Sequence, residues 1–291
     1  MNLTKYLLIV GLFSISFLFA QTMKPFVMAN NTVSDYVVSI QTTKEALQQE
    51  GFEVVGEYEP VEKTTVLIIT NNALKEMATK SKNGAFGVVQ RVAIVYLDEK
   101  VEISYTNPSY FWNAYRMEGD IENISNALSK ALGNGKQFGA KKGLSKQDLR
   151  KYHYMFGMPY FDDVNELATY DSYDQAIDTI EKGLTKEKGG VKKIYRVDIA
   201  NENITLFGVS LTQGDGSDTN ILAKIDKKPY SHAAHLSYEL LVQNNKAIAL
   251  PGKFRIAISW PSLTMMGSGS FMSIVNAPGS ILDALEEVTS R

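Results

Sequence analysis

Residues 91–117 read RVAIVYLDEKVEISYTNPSYFWNAYRM, and this stretch decides the fold. Two β-rich segments, RVAIVYL and VEISYT, flank a turn at residues 98–100, which is the pattern of an antiparallel hairpin. Asn107-Pro108 follows the second segment directly. Because proline cannot donate to a strand ladder and its φ is fixed, we predict that the strand ends there and a turn begins.

A second copy of this pattern lies near the C-terminus. The segments HLSYELLVQ (235–243) and AIALPGKFRIAISWPS (247–262) flank a turn at Asn244-Asn245. The alternating residues 256–259, IAIS, predict a strand that ends at Trp260-Pro261. A helix is predicted after each proline turn, in DIENISNALSKALG and PGSILDALEEV.

Each hairpin is preceded by an amphipathic helix and two further strands. The apolar positions of the two helices share one helical face and have the same spacing; they are Tyr36, Ile40 and Leu47, and Tyr173, Ile177 and Leu184. The predicted strands that follow are FEVVGEYEP and TTVLIITN in the first copy, and VKKIYRVDI and ITLFGVSLT in the second. With short helices at 72–79 and 219–225, the order is α-β-β-α-β-β-α in each copy. The predicted fold class is α+β, with two tandem repeats that are each an antiparallel sheet covered by helices.

This repeat predicts the domain organisation. The first α+β domain covers residues 33–133, and the second, divergent one covers 165–291. Residues 134–164 form a basic linker and an aromatic segment between them. The linker's basic residues are Lys136, Lys141, Lys142, Lys146, Arg150 and Lys151, against a single Asp148 among residues 134–151. We interpret it as a solvated linker; the alternative is a patch for an anionic partner or lipid head groups.

The N-terminus has the layout of a secretory signal peptide. Lys5 precedes an apolar run, Tyr6 to Ala20, which ends in a small residue. The run is shorter than the roughly 20 residues that span a bilayer. We predict a signal peptide at residues 1–20 with cleavage near Ala20, and a periplasmic or secreted protein with no transmembrane segment after cleavage. The alternative is an uncleaved anchor.

Composition excludes several classes of protein. The chain has 291 residues, a formal net charge of −2 and no cysteine. This charge argues against a surface devoted to nucleic acid, so no nucleic-acid partner is expected. Without cysteine there are no disulfides, thiolate nucleophiles or iron–sulfur ligands. An exported protein without disulfides suits a bacterial periplasm.

The stretch at 91–117 resembles the bacterial domain-of-unknown-function 302 family. Members of that family have a helix, a GFEVV-like strand, a central hairpin with an N-P motif, and a C-terminal helix. The similarity covers residues 33–133 well and 172–288 more weakly. It implies small α+β units that self-associate and no agreed biochemical role. A tandem chain would reproduce such a pair inside one monomer, as an intramolecular pseudo-dimer.

Aromatic residues near the two proline turns are the candidate ligand site. Because duplicated domains create a cleft at their interface, we expect a small ligand there. The candidate ligand-binding residues are Asn107, Pro108, Tyr110, Trp112, Trp260 and Pro261. The alternative for the aromatic residues is core packing between helix and sheet.

Histidine and methionine are the remaining candidates for a metal site. Imidazole with soft thioethers suits Cu(I), and the chain has no cysteine to use instead. The candidate metal ligands are His153, Met155, Met158, His232 and His235, with Met265, Met266 and Met272 in a second methionine-rich stretch. The alternative is that these methionines fill the core. No cofactor is expected otherwise, and copper is the one alternative.

No catalytic motif is present in the sequence. Ser109 and Ser262 lack a G-x-S-x-G elbow, and the Gly-rich 267–270 lacks the lysine of a phosphate loop. The sequence therefore predicts an exported, non-enzymatic protein that binds an unknown small ligand or a protein. The alternatives are a periplasmic copper-binding protein and an enzyme with an unrecognised site.

Overall fold

The computed structural model describes residues 22–30, 33–199, 202–227 and 229–291. Helices and antiparallel sheets make up these ranges, which confirms the α+β class. Residues 1–20, where the signal peptide is predicted, lie outside them. Within these ranges no helix is both long enough and apolar enough to cross a bilayer.

The strands are β1 (Thr22–Met23), β2 (Phe26–Met28), β3 (Glu53–Val61), β4 (Thr64–Thr70), β5 (Gln90–Leu97), β6 (Lys100–Thr106), β7 (Gln137–Phe138), β8 (Leu144–Ser145), β9 (Asn165–Thr169), β10 (Val191–Ile199), β11 (Ile204–Leu211), β12 (Tyr238–Gln243) and β13 (Lys246–Ala249). The α-helices are α1 (Tyr36–Gln49), α2 (Asn72–Ala78), α3 (Pro108–Ala114), α4 (Glu122–Leu132), α5 (Lys146–Arg150), α6 (Tyr173–Thr185), α7 (Asp218–Ile225), α8 (Gly252–Ser259) and α9 (Ala277–Thr289).

Two larger sheets organise the fold. The first has the strand order β3-β4-β5-β6-β2-β7 and the second β10-β11-β12-β13-β9. Strands β1 and β8 form a separate two-stranded sheet. Compared with the predicted α-β-β-α-β-β-α order, each larger sheet gains a strand from the segment before its first helix, β2 or β9, and β7 adds a further strand at the edge of the first sheet. Each also gains a helix, α3 or α8, directly after its last hairpin.

Local sequence explains where the helices begin. Asp35 caps α1 by accepting a hydrogen bond from the Val38 amide at 2.9 Å. Ser172 caps α6 in the same way, from the Gln175 amide at 3.1 Å. These side chains satisfy amide groups that the first helical turn leaves without a partner.

The predicted strand at 256–259 is wrong, because these residues belong to helix α8. Pro251 is the N-cap of α8, two residues after the end of β13, whereas Pro108 is the first residue of α3, two residues after the end of β6. Residues 254–259 are buried without exception. A helix buried on all sides has no polar face, and the alternation in IAIS therefore looked like a strand. Trp260-Pro261 consequently lies at the end of a helix rather than at the end of a strand.

One hydrophobic cluster spans the two larger sheets, and a second lies within the second half of the chain. A single buried cluster contains Phe26 and Val92 of the first sheet together with Tyr195, Leu241 and Phe254 of the second half. The predicted linker takes part in the structure, since β7 pairs with β2 at the edge of the first sheet.

Candidate functional site

A cleft of about 480 Å³ lies between the first and second halves of the chain. The first half contributes Lys24 and residues 136–141, and the second half contributes residues from 225–232 and 260–269. We call this cavity the cleft.

The wall from the first half is held by strand pairing. Phe26 of β2 pairs with Phe138 of β7, and the Lys24 amide donates to Gln137 Oε1 at 2.9 Å. The Lys141 amide donates to Ser262 Oγ at 2.9 Å, which joins this wall to the second half. Hydrogen bonds of backbone groups therefore hold the segments that form this wall of the cleft.

Aromatic rings line the cleft from both halves of the chain. Trp260 stacks on His232 with ring centroids 5.1 Å apart and an interplanar angle of 20°. Phe138 meets both His232 and Tyr230. Trp260 is 5% exposed, and its Nε1 is buried with no hydrogen-bond partner. An unpartnered buried donor costs about 1 to 3 kcal/mol, so Nε1–H is a group that a bound acceptor would stabilise.

Asp226 fixes the orientation of His232. Its Oδ1 lies 2.9 Å from His232 Nδ1 and also accepts from the His232 amide at 2.8 Å. Ser231 Oγ donates to Oδ2 of the same carboxylate at 2.6 Å. The carboxylate accepts the hydrogen bond from Nδ1–H and thereby holds the imidazole ring in the cleft wall.

Lysine supplies the charge of the cleft. Four lysines line it, and among the described lining residues there is no Asp or Glu; they are Lys24, Lys136, Lys141 and Lys227. Lys136 Nζ also lies 5.7 Å from the centre of the Tyr230 ring. This combination of lysines and aromatic rings favours an anion that carries an apolar body.

A second cavity of about 510 Å³ lies beside the first proline turn. We call it the amide cavity, after the Asn and Gln side chains among its lining residues: Asn107, Asn113, Asn134, Gln137 and Gln147. Pro108 lines it too, and Asn107 Nδ2 donates to the Lys24 carbonyl at 2.9 Å. Gln137 lines both cavities.

The structure distributes the predicted ligand residues over three places. Asn107 and Pro108 line the amide cavity, and Trp260 lines the cleft. Pro261 is half-buried beside Ser262, which lines the cleft. Tyr110 and Trp112 are buried in the core, where Tyr110 Oη donates to the Ile258 carbonyl at 3.0 Å. The two proline turns therefore do not converge on one site.

The predicted metal ligands are also separated. Both ring nitrogens of His235 are occupied, Nδ1 by Ser259 Oγ at 2.8 Å and Nε2 by Tyr238 Oη at 3.1 Å. Burial, followed by Arg255, holds the pKa of His235 well below its usual range, so this imidazole is neutral. The described residues contain no group of three or more His, Cys, Asp or Glu placed for a metal ion.

The first methionine-rich stretch lies elsewhere. His153 Nδ1 is 2.9 Å from the Met155 carbonyl, and its ring packs on Tyr160. Met155 is exposed, whereas Met158 lines a small cavity with Met265 and Trp260. Copper binding by these residues stays a prediction.

The sequence does not identify several of the residues that line the cleft as binding residues. Lys136 and Lys141 were noted only as part of a basic linker, and Lys24, Lys227 and Tyr230 carry no local motif. Their position depends on β7 joining the edge of the first sheet, a pairing of two residues that has no periodic signal.

Comparisons of the chain with family models, with curated proteins and with solved structures found no match. The functional argument therefore depends on the geometry of the two cavities.

Proposed function

We propose that this protein binds a small organic anion in the cleft. The observation that carries the proposal is the lining itself: four lysines, no carboxylate among the described lining residues, and a stacked Trp260–His232 pair. Low-dielectric walls lined by one sign of charge concentrate ions of the opposite sign.

The geometry supports a particular kind of anion. A cavity of about 480 Å³ is in the range of small-molecule sites. A flat apolar body would pack against Phe138, Tyr230 and Trp260 while its acidic group meets the lysines. Trp260 Nε1–H has no hydrogen-bond partner, so a ligand with an acceptor group is favoured.

The compartment and the family are part of the proposal. An N-terminal signal peptide and export to the periplasm agree with a non-enzymatic binding protein. Membership of the domain-of-unknown-function 302 family, with two copies in one chain, is proposed from the residues at 91–117.

Tryptophan fluorescence tests the proposal directly. The chain has two tryptophans, and Trp112→Phe leaves Trp260 as the single reporter in the cleft. Titration with naphthalene-2-sulfonate and benzoate is expected to change this emission with saturation. The neutral naphthalene-2-sulfonamide and benzamide should bind at least about tenfold more weakly, because they lack the charge that the lysines attract.

Charge-removing variants give the control. Lys136→Gln with Lys227→Gln should weaken anion binding by about tenfold and reduce its salt dependence. The matched pair Lys100→Gln with Lys186→Gln removes the same charge from exposed positions outside the cleft and should leave affinity unchanged. Equal binding of the anions and their neutral counterparts, or equal loss in both double variants, would contradict the proposal.

A further inference from the structure

The amide cavity differs from the cleft in its chemistry. Its walls come from the end of β6, from α3 and α4, and from the start of α5. Among its described lining residues Lys146 is the single charged side chain, and it is exposed. The remaining polar groups are neutral amides and hydroxyls, which include Ser109, Ser125 and Ser129.

One buried acceptor on a residue that lines this cavity has no partner. Asn113 is 7% exposed, and its Nδ2 donates to the Ser109 carbonyl at 2.7 Å. This bond fixes the orientation of the amide, because a flipped side chain would bring two oxygens together. Asn113 Oδ1 is thereby left buried without a hydrogen bond. Since buried polar groups are rarely unpaired, this oxygen indicates a missing donor.

Two serine hydroxyls line the same cavity. Ser109 Oγ and Ser125 Oγ are 3.4 Å apart, and Ser125 Oγ also lies 3.2 Å from the Ile121 carbonyl. Each hydroxyl has one proton and two lone pairs, so both retain the capacity to accept. The wall thus offers several hydrogen-bonding groups without a net charge.

An apolar strip completes the lining. Val27, Tyr105 and Pro108 are buried, and Met23 is half-buried. Tyr105 Oη donates to the Gly133 carbonyl at 2.8 Å, so its ring is held in place. A ligand that fits has hydroxyls on one side and C–H groups on the other.

We propose that the amide cavity binds a neutral polyhydroxylated ligand of monosaccharide size. Its hydroxyls donate to Asn113 Oδ1 and exchange hydrogen bonds with Ser109 and Ser129, while its C–H face packs on Tyr105. A purely apolar ligand would leave Asn113 Oδ1 unpaired. This site is additional to the anion site, because the two linings share Gln137 alone and the amide cavity lacks the four lysines of the cleft.

Saturation-transfer NMR on the full chain tests this proposal. The probes are methyl α-D-glucopyranoside, methyl α-D-galactopyranoside and myo-inositol. At least one is expected to bind with a Kd of about 1 mM or tighter. Asn113→Leu, which keeps the size of the side chain and removes the acceptor, should weaken that binding by at least about tenfold.

Two further variants keep the test decisive. Ser129→Leu fills the cavity from a half-buried position of α4, where leucine favours the helix, and it should abolish binding even if Asn113→Leu does not fold. Asn126→Leu makes the matched change at an exposed position of α4 outside the cavity, and binding should persist.

Three results would overturn the proposal: no binding of any of the three polyols, binding that survives Ser129→Leu, or binding lost with Lys136→Gln and Lys227→Gln in the cleft. The anion titration with the same proteins separates the two sites. Benzoate affinity should not change in Ser129→Leu, so either proposal can fail alone.

Discussion

Asp218 is a buried carboxyl at the contact between the two halves. Tyr58 Oη, from β3 of the first sheet, donates to its Oδ2 at 3.3 Å. Burial raises the pKa of Asp218 to about 7, against its usual 3.8, while hydrogen bonds act in the opposite direction.

This shift predicts a pH dependence of stability. Between pH 3.8 and about 7 the folded state keeps the Asp218 proton and the unfolded state releases it. The folded state binds more protons there, so the stabilisation is complete below about pH 4 and is lost as the pH rises to about 7. Compared with Asp218→Asn, the wild-type protein should lose about 2 to 4 kcal/mol across this range.

Urea unfolding of both proteins from about pH 4 to about pH 8 measures the difference. His235 acts in the opposite direction, since its lowered pKa costs stability as the pH falls, but it is present in both proteins and cancels. Asp178→Asn, at an exposed position of α6, is the control that should not alter the profile. A constant difference between wild type and Asp218→Asn at every pH would refute the assignment.

The helices α6 and α9 pack unusually close at Gly183. A Cβ atom placed on Gly183 would lie 2.2 Å from the Val288 carbonyl oxygen. Gly279, in α9, is exposed and has no atom within 4 Å of the same position. The close packing of α6 and α9 therefore requires a glycine at position 183, whereas no neighbouring atom requires one at position 279.

Matched alanine substitutions should change stability in opposite directions. Gly183→Ala should lower the free energy of unfolding by about 1 to 3 kcal/mol, because α9 has to move away from α6. Gly279→Ala should raise it by about 0.5 to 1 kcal/mol, since alanine favours the helix and meets no neighbour. Thermal and urea unfolding give both values, and stabilisation by Gly183→Ala would show that the helices are not in this contact.

Helix α8 is the element for which the local sequence pattern predicted the wrong secondary structure. Helices α1 and α6 and the hairpin β5–β6 were predicted from periodicity and turn residues, and the structure confirms them. Helices α1 and α6 each have one solvated face, which leaves a period in the sequence, whereas the hairpin was found from its β-rich segments and the turn between them. Helix α8 is buried except at Lys253, so it has no polar face and lacks that signal.

A buried charge cluster joins the two halves of the molecule. Arg91 of β5 forms an ion pair with Glu239 of β12, and Arg255 Nε lies 3.4 Å from Glu239 Oε2. Arg255 also donates to Tyr115 Oη at 3.0 Å and to the His235 carbonyl at 2.8 Å. All three charged side chains are 3% exposed or less.

Removing the central carboxylate should destabilise the whole molecule. Glu239→Gln leaves two buried guanidinium groups without a counter-charge, and we expect a loss of about 3 to 5 kcal/mol. Glu166→Gln, in an exposed pair with Lys246, should change stability little.

Because one core cluster spans both sheets, wild type should unfold in a single calorimetric transition as a monomer. Two separate transitions in the wild-type protein would contradict the intramolecular pseudo-dimer.

The sequence alone was sufficient for the α+β class, for most helices and strands, and for Trp260 as a residue of interest. Those features depend on periodicity and composition over a few neighbouring residues. The tertiary structure decided that three lysines line one cleft with Trp260: Lys24, Lys136 and Lys227. It also placed Asn107 and Pro108 in a different cavity. Arg91 and Glu239 form an ion pair only in the folded protein. These groups come from distant segments, and what brings them together is the pairing of sheet-edge strands and the burial of a common core, neither of which leaves a local pattern in the chain.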